Sequence, residues 1–155
     1  MKRVMEDGLV KATHDGLGSL FDVIYIDTWI AIAYFKSKIK GGSKPQVIDY
    51  LERTVFRKIT SDLVKNELVK VLSRDFNYTL NEFEWNEFLK SLKLRNVGNP
   101  LNLTPSSSDE YDDAHLKTAK TFNKCIIVTG DKKFIAKDPT AVWFYGKLRQ
   151  VHSSS

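Results

Sequence analysis

Apolar residues recur along this chain with two different periods, and the switching between them outlines the architecture. Residues 22–27 run apolar through Val23, Ile24, Tyr25 and Ile26, as a strand covered on both faces does, and the run ends on Asp27. Residues 29–37 read as helical. Pro45 stands near the start of a second helix, where its missing N–H costs little, and Val47, Ile48, Leu51 and Val55 form the stripe that this helix buries. Ile59 and Thr60 make a short strand, and Val64, Leu68, Val71 and Leu72 mark a further amphipathic helix. Thr79 to Glu82 reads as a capping box with Thr79 as the cap, opening a helix that buries Phe83, Trp85, Phe88, Leu89 and Leu92. Gly98, Asn99 and Pro100 break the pattern, and Leu101 to Thr104 is expected to form a short strand.

A loop from Pro105 to Ser108 leads through a second capping box, Ser107 with Glu110, into a helix over 108–122 that turns Ala114, Leu116, Ala119 and Phe122 inward. Residues 125–129 are the clearest strand of the chain, followed by Gly130 and Asp131, and Val142 to Tyr145 supply the last one. Strands alternating with helices predict one α/β domain with a mostly parallel central sheet flanked by helices. The expected organisation is an N-terminal extension over 1–20, either an extra helix or a loose arm, then the domain over 21–150 and a frayed Ser-rich tail over 151–155. No internal repeat or linker divides the chain.

Composition narrows the class. A chain of 155 residues with 42% apolar and 28% charged positions can bury a real core and reads as a globular protein. The longest apolar stretch, Val23 to Phe35, is too short to span a bilayer, and Met1 to Leu20 carries no apolar signal segment, so no membrane role and a cytoplasmic setting are expected. Cys125, the single cysteine, lies in an apolar run and reads as a buried, inert thiol. His14, His115 and His152 are scattered and build no zinc spacing. The formal charge of +5 admits a polyanionic partner without requiring one. Lys36, Lys38, Lys40 and Lys44 flank Gly41-Gly42-Ser43, which is either a solvated loop or one that contacts phosphates.

The chemistry-bearing positions are acidic. In parallel sheets ligands bind beyond the carboxyl ends of the strands, where Asp27 and Asp131 stand. Glu67 follows Val64 by three positions, near the apolar face of its helix, and Asp113 lies on another amphipathic helix. Carboxylates sharing a pocket repel one another unless protons or a cation offset them. An all-oxygen donor set suits Mg²⁺ or Mn²⁺, and such an ion promotes phosphodiester hydrolysis. The competing enzyme class is phosphoryl transfer through a strand-end aspartate, as in haloacid-dehalogenase-like phosphatases. Those usually carry a second Asp two residues on, where this chain has Trp29.

Four segments resemble the motifs of the PIN domain family. Phe21 to Thr28 looks like its opening strand, ending in Asp followed by Thr or Ser, and Thr60 to Leu68 resembles its second motif, whose Glu matches Glu67. Asp113-Ala114 begins a helix like the third, and Thr129-Gly130-Asp131-Lys132-Lys133-Phe134 is similar to the fourth. Asp113 and Asp131 are eighteen positions apart, the usual family interval. The resemblance covers Phe21 to Tyr145 and implies a metal-dependent ribonuclease, with small single-domain members resembling VapC-type toxins that pair with an antitoxin and commonly dimerise.

Carried onto this chain, the resemblance implies Asp27, Glu67, Asp113 and Asp131 as catalytic acids and ligands of Mg²⁺ or Mn²⁺, with Thr129 orienting an acid or water. Thr28, Asp109 and Asp112 are supporting neighbours, and Asp112 competes with Asp113 for the third position. Lys132 and Lys133 join the Lys36–Lys44 group as RNA contacts. Two positions depart from the family. Trp29 replaces a usual Asn or Ser and either packs over the site or stacks on a base; Lys133 replaces a frequent acid. The alternative to an enzyme is a catalytically weak PIN-like scaffold that binds RNA or protein.

Overall fold

The apolar run ending at Asp27 becomes the central strand of the sheet. In the computed structural model, which describes residues 21–147, β1 (Val23–Ile26) is buried at every position. The extension expected over 1–20 and the tail over 151–155 lie outside the described residues. On one side β1 pairs with β2 (Arg57–Thr60), and β2 with β3 (Leu94–Asn96). On the other side it pairs with β4 (Cys125–Thr129), and β4 with β5 (Val142–Phe144). Every pairing is parallel and the order is β3-β2-β1-β4-β5. The chain therefore reverses its direction of travel across the sheet between β1 and β4, which is where such sheets open a crevice. Ile26 is in register with Val128, so Asp27 emerges beside Thr129.

The helices run as α1 (Thr28–Lys40), α2 (Gln46–Arg53), α3 (Asp62–Phe76), α4 (Glu82–Leu92), α5 (Ser108–Ala119) and α6 (Lys132–Lys137). Asp27 caps α1 through Ile30 N–H, and Gly41 closes it with a left-handed φ of 69°. The main core joins β1 and β4 to α1, α2, α3 and α4. A smaller cluster of Leu63, Tyr111 and Ala114 pins α5 against α3 and so sets the rotation of α5. Burial pushes the half-buried Cys125 thiol up to about 12, which keeps it protonated.

The structure departs from the sequence reading in several local details. Helix α4 is capped by Asn81, whose side chain accepts from Glu84 N–H while Glu84 reaches back to Asn81 N–H. This box lies two residues beyond the one expected from Thr79 and Glu82. The shift puts Leu80 and Trp85 at the two positions of a hydrophobic staple and frees Glu82 to pair with Lys65 at 2.5 Å. Phe83 is consequently exposed rather than buried. Val55 lies past the end of α2 and is likewise exposed.

The edge strand is Leu94–Asn96, and residues 101–104 carry no strand. Lys93 ends α4 with a left-handed φ of 55° and turns the chain straight onto β2. Leu103, whose N–H and carbonyl both bond the Asn99 side chain, is held in a loop instead. Helix α5 stops at Ala119, three residues short of the expected end, and buries Tyr111 and His115 alongside Ala114 and Ala119.

Candidate active site at the carboxyl ends of β1 and β4

Asp27 leaves β1 almost wholly buried, with 3% exposure. Its carboxylate accepts from Ile30 N–H at 3.3 Å and from the Thr129 hydroxyl. Burial nonetheless pushes the carboxyl up to about 8, and the charges of Glu67 and Asp112 add to that rise. Thr129 also accepts from Asp131 N–H at 3.0 Å, so one buried threonine ties both strand-end acids together. Asp131 in turn caps α6 through Lys133 N–H at 3.0 Å. Capping alone accounts for an aspartate at either place. It does not account for burying Asp27 against other carboxylates.

Helix α3 presents Glu67 from the opposite wall. The Thr28 hydroxyl donates to Glu67 Oε1 at 2.5 Å, and His115 Nε2 stands 3.1 Å from the same oxygen. Asp112, half-buried on α5, has its carboxyl pushed up to about 6, chiefly by burial and then by Glu67. These side chains line one cavity of about 320 Å³: Asp27, Thr28, Trp29, Glu67, Asp112, His115 and Asp131, with Lys36 and Arg74 on its flank.

The sequence reading put Asp113 in this set, and the structure puts its neighbour there. Successive helical residues point roughly 100° apart. With α5 rotated so that Tyr111, Ala114 and His115 face inward, Asp112 turns toward the cavity and Asp113 turns away. Asp113 is exposed, bonds Lys137 Nζ at 3.1 Å, and lines a separate small cavity with Leu103, Thr104 and Pro105. Asp109, also on Lys137 at 3.4 Å, stays outside the acidic cavity.

Of the expected RNA-contacting lysines only Lys36 reaches the cavity wall. Lys38 lies over the Tyr34 ring, Lys40 over Phe76, and Lys44 pairs with Glu52 at 2.6 Å. Lys132 and Lys133 are exposed on α6 and do not line the cavity. Arg74, absent from the sequence reading, lines it while bonded to Asp75. His115, which builds no zinc spacing with His14 and His152, lines the cavity as well. Its place three residues after Asp112, on the same side of the helix, was the available signal.

The lining fits a hard divalent cation in its chemistry, with no thiolate and five carboxylates, of which Asp75 is paired with Arg74, and the repulsion loaded onto Asp27 is what a cation offsets. With the side chains as they stand, no three acidic or imidazole groups among the described residues close around a common point. Binding therefore entails rotation of side chains rather than occupation of a finished cage. No helix among the described residues is long and apolar enough to cross a membrane.

Comparison with curated proteins returns no match. The PIN domain family model matches residues 23–133, from the start of β1 through the first turn of α6, and so includes every acid of the cavity. This chain belongs to the PIN domain family, whose members are generally nucleases.

Proposed function

We propose that the chain is a ribonuclease that hydrolyses RNA phosphodiester bonds with Mg²⁺ or Mn²⁺, held by Asp27, Glu67, Asp112 and Asp131. The observation that carries this reading is that these four acids, one of them buried, line a single cavity at the switch point of the sheet. A divalent cation, when bound there, supplies the positive charge that offsets the acids, activates water and polarises a phosphate oxygen. The chain's own groups do the positioning. Thr129 and Ile30 N–H hold Asp27, while Thr28 and His115 hold Glu67. Lys36 gives the flank of the cavity a positive charge for a polyanionic strand, while the charge of Arg74 is offset by Asp75 beside it.

Trp29 belongs to the same reading as a platform for an unpaired base. The residue is 37% exposed at the cavity wall, and no ring of the described residues stacks on it. The choice of RNA over DNA rests on the resemblance to PIN-domain ribonucleases, and a toxin role with an antitoxin partner and a homodimeric state rest on the resemblance to VapC-type toxins.

The test is cleavage of labelled single-stranded RNA and DNA pools with Mn²⁺, Mg²⁺ or chelator, beside an Asp27→Asn variant. Metal-dependent cutting of RNA that disappears in the variant upholds the proposal. Full activity of the variant removes Asp27 from the chemistry. The scaffold reading has one observation in its favour, the absence of three converging ligands among the described residues. Calorimetry that finds RNA binding without any cation binding would favour it.

A further inference from the structure

Three buried polar side chains meet beneath the acidic cavity: Ser61, Tyr25, whose ring belongs to the main core, and His115, which lines the cavity wall. They come from the cap of α3, the middle of β1 and the inward face of α5. Tyr25 Oη stands 2.6 Å from Ser61 Oγ and 2.8 Å from His115 Nδ1. The far nitrogen of the ring, Nε2, stands 3.1 Å from Glu67 Oε1 and 3.4 Å from Thr28 Oγ1. All three side chains are at most 1% exposed, so each proton among them needs a protein acceptor.

That requirement leaves one arrangement of protons. Ser61 Oγ already accepts Val64 N–H at 3.4 Å, and its own proton has Tyr25 Oη as its acceptor among the described residues. Tyr25, receiving from Ser61, gives its proton to His115 Nδ1. Burial pushes the Tyr25 phenol far above its ordinary range, so the proton is there to give. An imidazole that accepts at Nδ1 carries its hydrogen on Nε2, directed at Glu67. An imidazolium would reverse the Tyr25 bond, turn the phenol onto Ser61 and leave the serine proton with no acceptor.

We propose that Ser61, Tyr25 and His115 form a one-way hydrogen-bond relay that makes His115 a positioning residue for Glu67. Its Nε2–H and the Thr28 hydroxyl both hold Oε1, and no hydrogen bond among the described residues reaches Oε2. Glu67 thus offers the cavity one oxygen in a set orientation. The consequence for cation binding rests on the nuclease reading above; the relay itself does not.

The experiment separates the two. The ¹⁵N shifts of the imidazole nitrogens of metal-free protein at pH 7.5 report the tautomer, with His115→Gln used to assign the signals. The expected state is neutral Nε2–H, and Tyr25→Phe should mix the two tautomers. An Nδ1–H tautomer or an imidazolium in the wild type overturns the relay. Mn²⁺ titration by calorimetry then compares two variants. Gln keeps a donor near the place of Nε2, whereas Asn keeps the acceptor for Tyr25 and loses the donor to Glu67. Outer partners of metal ligands typically contribute about 10–100-fold in affinity, so His115→Asn should lose that much and His115→Gln only a few-fold. Equal Mn²⁺ affinity in His115→Asn and wild type overturns the positioning role. The expected tautomer in a protein that binds no Mn²⁺ keeps the relay and sinks the metal-dependent reading.

Discussion

The indole of Trp29 occupies the space that a side chain on Gly130 would need. A Cβ at position 130 would stand 2.3 to 2.5 Å from three atoms of the six-membered ring, closer than real contacts allow. Gly130 sits between Thr129 and Asp131, so the ring is laid against the link between the threonine that ties the strand-end acids together and the second of those acids. The absence of a side chain here is a requirement of packing, since the backbone is not in a left-handed region.

Gly130→Ala should therefore push the indole outward. Overpacking of this kind costs about 1–3 kcal/mol where neighbours cannot move, and the partly exposed ring gives the lower end of that range. Thermal melts and tryptophan emission, with Trp29→Phe as reference, check it. Unchanged emission and melting temperature would show that the ring is not held by this contact.

Trp29→Ala should weaken binding of single-stranded RNA while Trp29→Phe retains most of it. Stacking of a base on an aromatic ring is worth about 1–3 kcal/mol, a loss on the order of 5- to 100-fold in affinity. Fluorescence anisotropy with Ca²⁺ in place of Mg²⁺ keeps the strand intact during titration. Equal affinity of the alanine variant would return Trp29 to a packing role.

The adjacent acids on α5 should separate cleanly. Asp112→Asn is expected to lower cleavage by roughly 100-fold or more, as removal of a group acting on the reacting centre does. Asp113→Asn should stay within about 3-fold and change stability by no more than ~1 kcal/mol, because it breaks only an exposed pair with Lys137. Initial rates on one RNA decide between them; the reverse ranking would restore Asp113.

Metal-free protein should lose stability as pH rises from 5 to 8. The Asp27 and Asp112 carboxyls are raised by folding to about 8 and about 6, so the folded state binds more protons than the unfolded one across this window. Their contribution is full below about pH 4, the ordinary carboxyl range, and is lost as pH climbs through the folded values. Mg²⁺ or Mn²⁺ should raise the melting temperature more at pH 8 than at pH 5, because cation and proton compete for the same oxygens. Asp27→Asn should flatten the profile. The scan stops at pH 8, since burial pulls Lys58 down to about 8 and adds a rise in stability above it. A melting temperature that climbs from pH 5 to 8 in chelator would contradict the assignment.

The positions of several acids of the candidate site are legible in the sequence, for local reasons. An apolar run long enough for one strand must stop somewhere, and Asp27 stands at the stop of β1 while Asp131 stands just past β4. Both are capping residues of the helix that follows, so their positions follow from neighbours a few residues away. Helical phase relative to Val64 likewise placed Glu67 near the inner face of α3.

The remaining choices are not local. Asp112 and Asp113 differ by a rotation of α5, and that rotation is set by Leu63, forty-nine residues upstream of Asp112, packing on Tyr111 and Ala114. His115 acquires its role from Tyr25, ninety positions away, and from Glu67 on a third element. The edge strand fell at Leu94 rather than Leu101 because Lys93 adopts a left-handed conformation that brings the chain to β2 at once. The sequence by itself determined the alternation of elements, the strand-end acids and the helix that carries Glu67, since these depend on periodicity and caps. Only the tertiary structure decided which neighbouring side chain on α5 enters the cavity and what holds Glu67, because both depend on contacts between residues far apart in the chain.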